Sequence, residues 1–412
     1  MLIVSRPPSV DPKLICNAEG WSLWPTALML LGQSENIDDM VTLVGKLVRS
    51  LEEAGAPLSR LRLSTMTLHP LVTSWGARWA GGEAIEAMEF PHDRIHSGEY
   101  VGSPAQHVRE TGTAFRCRLE GILTVDDHRL LHELKDAGAT DYYAAPLARR
   151  AREGGFLTLC TDRPGGFTAL DIAKFDALAL MVAPHAHSLN RYRIATSLLE
   201  TYVGRRASAR VLDGHVRRGD YEHIRAALWY SDLRDFTQMS EDLESNQMLD
   251  LLNTYFSVVS KAVIERGGDI LQFIGDAVLA VFPCAVDAAS TAAACEAAFD
   301  AAVESLTEIV EVNRTRAAAG LPEIHFGIGL HFGDVAFGNV GAIDRLGFNV
   351  IGPAVNLTAR LESLSKQAMV PLLLSQPLAD VIDRALSPVG SFQLKGVREL
   401  QAVFTAADLV QK

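Results

Sequence analysis

Along residues 34–55 apolar side chains fall at Ile37, Met40, Val41, Val44, Leu47, Val48 and Leu51. These steps of three and four predict an amphipathic helix closed by Gly55. Strand-like runs follow at 61–69, 83–90 and 156–161, with a helix near 128–137 and a turn over 162–166. A longer helical pattern starts near residue 169 and continues past Pro184 towards Val203. A helix, short strands and a long exit helix predict an α+β domain.

The second half is patterned more regularly. A strand over 226–231 leads to Met248, Leu251, Leu252, Tyr255, Phe256, Val259, Ala262 and Val263 at helical spacing, closed by Gly267 and Gly268. Strands over 270–274 and 277–282 flank Gly275 and Asp276, a hairpin signal with the aspartate at its tip. A long Ala-rich helix over 287–319 precedes strands over 324–332, 335–341 and 348–351 and a helix over 354–365. Closing strands are expected near 371–374, 392–394 and 402–405. The order β-α-β-β-α-β is the ferredoxin-like pattern. Between 204 and 220, Arg205, Arg206, Arg210, Arg217 and Arg218 mark a partly helical connecting segment. The expected division is therefore 1–200, a linker over 201–224, and 225–412.

Composition narrows the partners. The 412 residues are 48% hydrophobic and carry 38 Lys+Arg against 50 Asp+Glu, a net charge of −12, which argues for packed domains and against a protein that coats nucleic acid. A phosphate-bearing ligand would need metal ions or a few placed basic residues. Cys16, Cys117, Cys160, Cys284 and Cys295 show no CxxC spacing and read as reduced thiols. No signal-peptide pattern or apolar run of about 18 residues is seen, so a cytoplasmic location without a membrane span is expected.

Asp232 ends a predicted strand and Asp276 sits at the hairpin tip. If the two strands are neighbours the carboxylates converge, and hard oxygens without His or Cys suit Mg²⁺ or Mn²⁺ bridging phosphates. The alternative is structural: Asp232 as a helix cap and Asp276 as a turn residue. Asn356 and Arg360, at i and i+4 on the helix after Gly352 and Pro353, share a face and could hold a ribose and a phosphoryl group. His128 and His132 read as a surface or hydrogen-bonded pair rather than metal ligands. No GxxxxGK[ST] loop is present.

The runs LWYSDLRDFT (228–237), FIGDAVLAVF (273–282) and IGPAVNLTARLE (351–362), with LKGV (394–397), resemble the catalytic domain of class III adenylate and guanylate cyclases. The resemblance covers about residues 204–406 and implies a ferredoxin-like α+β cyclase fold. It also implies two divalent ions, Mg²⁺ or Mn²⁺, per active site on Asp232, Asp276 and the Leu233 carbonyl. Asn356 would orient the ribose, Arg360 would stabilise the pentavalent phosphate, and Lys395 would take the triphosphate. The active unit would be a head-to-tail homodimer whose sites are shared between chains. At the base-recognition positions stand Gln272 and Asn349, two amides where the family more often has Lys or Glu at the first and Asp, Thr or Cys at the second. ATP is the expected substrate, with GTP or dual specificity as the alternative and a silent nucleotide-binding regulator as a further one. The run Gly267–Ile270 is similar to a GGDEF motif, but no Glu follows Asp269, and it reads as a helix cap.

The first half resembles, through its opening helix, GATDYYAAPL (138–147) and TDRPGGFT (161–168), the GAF-like sensor domains attached to such cyclases. That implies an unidentified small-molecule or protein ligand, with the exit helix setting the relation of the paired catalytic domains. Trp75, Trp79, Tyr142 and Tyr143 read as core rather than pocket lining.

Overall fold

The computed structural model describes residues 10–17, 19–32, 37–147, 154–342, 344–397 and 399–409. The chain divides between Leu198 and Leu199 into two units.

Unit 1 begins with helices α1 (Pro12–Cys16), α2 (Trp24–Gly32) and α3 (Met40–Glu53) and strands β1 (Arg60–Met66), β2 (Val72–Ala80) and β3 (Glu86–Pro91). Next come α4 (Pro104–Thr111), β4 (Phe115–Arg118), α5 (Arg129–Asp136), β5 (Asp141–Pro146), β6 (Gly155–Thr161) and α6 (Ala169–Val203), whose last residues pass the division. The helix expected over 34–55 is α3, capped by Asp39, whose carboxylate accepts from the Thr42 N–H at 2.6 Å. The expected start at 34–36 lies outside the described residues.

The strands pair antiparallel in the order β3-β2-β1-β6-β5-β4. Because side chains alternate across a strand, the sheet has two cores. Leu61, Leu63, Leu157 and Leu159 pack with Leu43, Leu47 and Leu51 of α3 and Phe175 and Leu178 of α6. On the other side Tyr142, Ala144, Phe156 and Cys160 meet Val108 of α4 and Leu131 and Leu134 of α5. Each fully buried Leu contributes roughly 2 kcal/mol. Trp75, Trp79, Tyr142 and Tyr143 are buried in these clusters, as core.

Unit 2 runs α7 (Arg205–Leu212), β7 (Tyr221–Leu233), α8 (Phe236–Asp242), α9 (Ser245–Glu265), β8 (Asp269–Ile274), β9 (Ala277–Cys284) and α10 (Ala288–Ala318). It continues with β10 (Phe326–Gly341), β11 (Leu346–Ile351), α11 (Pro353–Ala368), β12 (Leu372–Ser375), α12 (Gln376–Ala379), β13 (Leu386–Phe392) and β14 (Gln401–Ala406). The sheet order is β13-β14-β12-β10-β7-β9-β8, with β11 paired to β10. Within it β7-α9-β8-β9-α10-β10 carries the expected β-α-β-β-α-β order, with β7 central.

Two differences from the expected elements have physical reasons. The strands expected over 324–332 and 335–341 are one strand, β10, because Gly333 and Asp334 keep their pairing with Ala226 and Arg225 of β7. The strand expected at 392–394 lies earlier, as β13, and Leu394 instead buries its side chain among Leu361, Leu364, Leu373 and Val403. The stretch 201–224 holds α7, where Ala207 packs with Ile224 and Phe337 and where Arg206 and Arg210 both bind Glu222, at 2.9 and 2.8 Å. Gly267 and Gly268 close α9, with the Gly268 N–H donating to the Val263 carbonyl at 2.9 Å. All five cysteines are free, and no helix among the described residues is long and apolar enough to cross a membrane.

Candidate active site

The middle of β7 is apolar on both faces because it lies mid-sheet: Ala226, Ala227, Leu228 and Trp229 have no exposed surface. Past this apolar middle, polar side chains resume at the end of the strand. The Trp229 indole N–H donates to the Ser231 hydroxyl at 3.0 Å, and Ser231 in turn bonds the Tyr255 hydroxyl at 2.8 Å. Asp232 follows directly. Since Ser231 stands opposite Val278, one step on along β7 and two steps back along β9 bring Asp232 and Asp276 to the same sheet end.

Asp276 belongs to a two-residue hairpin, Ile274 being paired with Ala277. Gly275 takes the left-handed φ of 65° that such a turn needs at its first central position. The aspartate is therefore not required for the turn backbone, which removes the structural alternative for this residue. Asp232 is within a strand, not at a helix cap. Burial first, then the neighbouring Asp276 carboxylate and Glu362, pushes the Asp232 carboxyl up to about 7. Two carboxylates held this close need a shared proton or a cation between them.

They line a cavity of about 470 Å³ together with Leu233, Arg234, Glu362 and Lys366. Its oxygen donors and lack of a lining imidazole or thiolate among the described residues suit Mg²⁺ or Mn²⁺. Among the described residues no group of three or more His, Cys, Asp or Glu is placed to hold a metal. Two carboxylates and a carbonyl suit ions that keep waters or take phosphate oxygens as further ligands.

The other expected residues lie elsewhere. Asn356 and Arg360 are exposed on α11 and do not line the Asp232/Asp276 cavity. The opposite face of α11 is pressed on β10 so closely that a Cβ on Gly329 would sit 2.4 Å from the Thr358 carbonyl oxygen. Lys395 is exposed in the turn beside buried Leu394. Gln272 is exposed on edge strand β8, next to a bulge at Leu271. Asn349 is exposed on β11, its carboxamide oxygen accepting from the Val350 N–H at 2.9 Å.

Residues that the sequence reading left without a role complete the cavity. Arg234 donates to buried Glu362 at 3.0 Å and also to Ser365, tying the end of β7 to α11. Burial raises the Glu362 carboxyl while Arg234 pulls it down. A Cβ on Gly327 would fall on the Arg234 guanidinium, at 1.9 Å. Asp235, at a left-handed φ of 56°, turns the chain into α8 and accepts from Lys366 at 2.7 Å. The signal was available: Arg234 and Glu362 both fall inside the runs 228–237 and 351–362, but nothing in spacing pairs residues 128 positions apart.

Residues 220–405 match the family model described as adenylate and guanylate cyclase catalytic domain. An adenylate cyclase of Anabaena cylindrica is 36% identical over 173 residues, 42% of this chain and 32% of the relative. Adenylate cyclase 1 of Rhizobium meliloti is 30% identical over 215 residues, 51% of this chain and 31% of the relative. The matched stretch thus spans about a third of the length of these curated relatives. Among solved structures, the adenylyl cyclase CyaB from P. aeruginosa is 27% identical, with 45% of this chain and 94% of that one covered and a TM-score of 0.41.

Proposed function

We propose that the chain, with a class III adenylate and guanylate cyclase catalytic domain over residues 220–405, converts ATP to 3′,5′-cyclic AMP and pyrophosphate. The observation that carries this is the convergence of Asp232 and Asp276 at one sheet end inside that domain. Asp232, Asp276 and the Leu233 carbonyl would hold two Mg²⁺ or Mn²⁺ ions. Such ions, when bound, acidify the ribose 3′-OH and neutralise triphosphate charge. Asn356 orients the ribose, Arg360 meets the charge that grows on the α-phosphoryl group, and Lys395 binds the triphosphate as a point charge.

Asn356 and Arg360 are exposed and do not line their own chain's Asp232/Asp276 cavity, so a second copy would supply them. Support for a homodimer with shared sites comes from apolar side chains left exposed beside the base-recognition strands: Phe273 and Ile274 on β8 and Ile351 on β11. Asn349, whose carboxamide oxygen is held by the Val350 N–H, offers its NH₂ to the base. Gln272 can present either end of its amide, which suits adenine and leaves guanine as the competing base. The relatives named adenylate cyclase support ATP. Unit 1, antiparallel and closed by the long helix α6, is assigned the part of a GAF-like regulatory domain.

The test is to incubate the purified chain with Mn²⁺ and either ATP or GTP and to separate the cyclic products. Cyclic AMP in excess is expected. Cyclic GMP in excess would reassign the base, and no product from either would overturn the reading in favour of a silent regulator.

A further inference from the structure

Unit 1 contains a cavity of about 290 Å³ between the sheet and helices α4 and α5. Its charges do not balance. Arg94 is paired with Glu99 at 2.9 Å and Arg129 with Glu133 at 2.6 Å, so both lining carboxylates are already engaged. Arg109 donates to the Tyr100 hydroxyl at 3.0 Å, and among the described residues no carboxylate pairs with it. Arg62 is flanked by the Phe90 and Phe156 rings, 4.7 and 5.4 Å from its guanidinium carbon, and donates to the Ser64 hydroxyl at 2.9 Å. Of the ionisable groups acting on it, Tyr142 favours its charged form while Arg94, Arg78 and Arg60 oppose it. Burial, helped by these like charges, lowers Arg62 to about 10, which leaves it a cation at neutral pH.

His128 adds an independent sign. Its Nδ1 accepts from the Leu130 N–H at 3.1 Å, which puts the proton of the neutral ring on Nε2. That nitrogen is buried and has no hydrogen-bond partner among the described residues. A buried donor without an acceptor is unfavourable, and partly buried cations without counter-ions are unfavourable too. An anion that enters the cavity relieves the unpaired cations directly and reaches His128 Nε2, which has almost no accessible surface, once the ring turns.

From this geometry we propose that the cavity binds a small organic acid with a flat apolar body, its carboxylate taken by Arg62, Arg109 and His128 and its body by Phe90 and Phe156. Planar guanidinium groups match a carboxylate edge to edge. The ring walls give nothing to a bare hydrated anion. The proposal is independent of the chemistry assigned to unit 2.

The full chain is titrated calorimetrically with 2-naphthoate, with its neutral counterpart 2-naphthamide and with inorganic phosphate. Naphthoate should bind at least about tenfold more tightly than either, the worth of one charge-assisted contact. Arg62→Met and Arg109→Leu should each weaken it by about tenfold. Arg109 is on a part-exposed helix position, so it carries the test if the Arg62 variant does not fold. Equal affinity for naphthamide, phosphate binding as tightly as naphthoate, no binding of any of the three, or unchanged affinity in Arg109→Leu would overturn the proposal.

Discussion

The two units each gather like charges in one cavity, with opposite signs. In unit 2, Asp232 and Asp276 face each other and Glu362 stands behind them, softened by Arg234 and Lys366. In unit 1, Arg62 and Arg109 share a cavity whose two carboxylates are spent on other arginines. The walls differ as well. The acidic cavity is lined mostly by polar side chains at a sheet end, which suits an ion that keeps its water. The basic one is walled by aromatic rings, which suits a ligand with a body. Charge sign selects what enters each cavity, and wall chemistry selects how much water comes with it.

The comparison breaks most sharply at Asp276. Asp276→Ala should reduce cyclic nucleotide formation about a thousandfold or more, the scale of losing transition-state charge stabilisation, while circular dichroism stays unchanged because Gly275 carries the turn. Next is the Arg234–Glu362 pair, whose side chains are 18% and 4% exposed. Glu362→Gln leaves a cation buried and should cost about 3–5 kcal/mol in urea unfolding, with most of the loss recovered in an Arg234→Met, Glu362→Met double variant.

Overpacking α11 should cost somewhat less. Gly329→Ala is expected to destabilise unit 2 by about 3 kcal/mol and to lower kcat more than it raises KM, since Asn356 and Arg360 ride on α11. A pH effect comes from His331, buried beside Ser375 and held down to about 4 by burial. Its folded value lies below its unfolded one, so the unfolded chain takes the proton first. Stability should fall as pH drops from about 6.5 towards 4, by roughly 2 kcal/mol between pH 7.5 and 5. Denaturation at the two pH values checks this, and His331→Phe should flatten the slope. The smallest effect concerns the base: Gln272→Glu should move the ATP to GTP preference about tenfold towards GTP in competition assays.

The acidic site was largely legible in the sequence and the basic one was not. Asp232 and Asp276 lie in short runs whose strand and hairpin patterns are local, so their approach follows once β7 and β9 are neighbours. Asn356 and Arg360 share a helix face for the same local reason. Arg62, Arg109 and His128 come from a strand, a helix and a helix cap whose meeting depends on tertiary packing, and none has a spacing signature. The merged strand β10 was missed because Gly333–Asp334 reads locally as a turn, while thirteen residues of β7 hold it straight from the side. β4 has only four residues, too few for alternation to register.

The turn at Gly275–Asp276 divides its labour between neighbours, backbone shape in one residue and charge in the next. A lineage can therefore lose the charge by a single substitution and keep a hairpin, a sheet and a surface intact. Under the proposed chemistry, folded but inert copies of this domain are one mutational step away, and the hairpin's own stability would not mark them for removal.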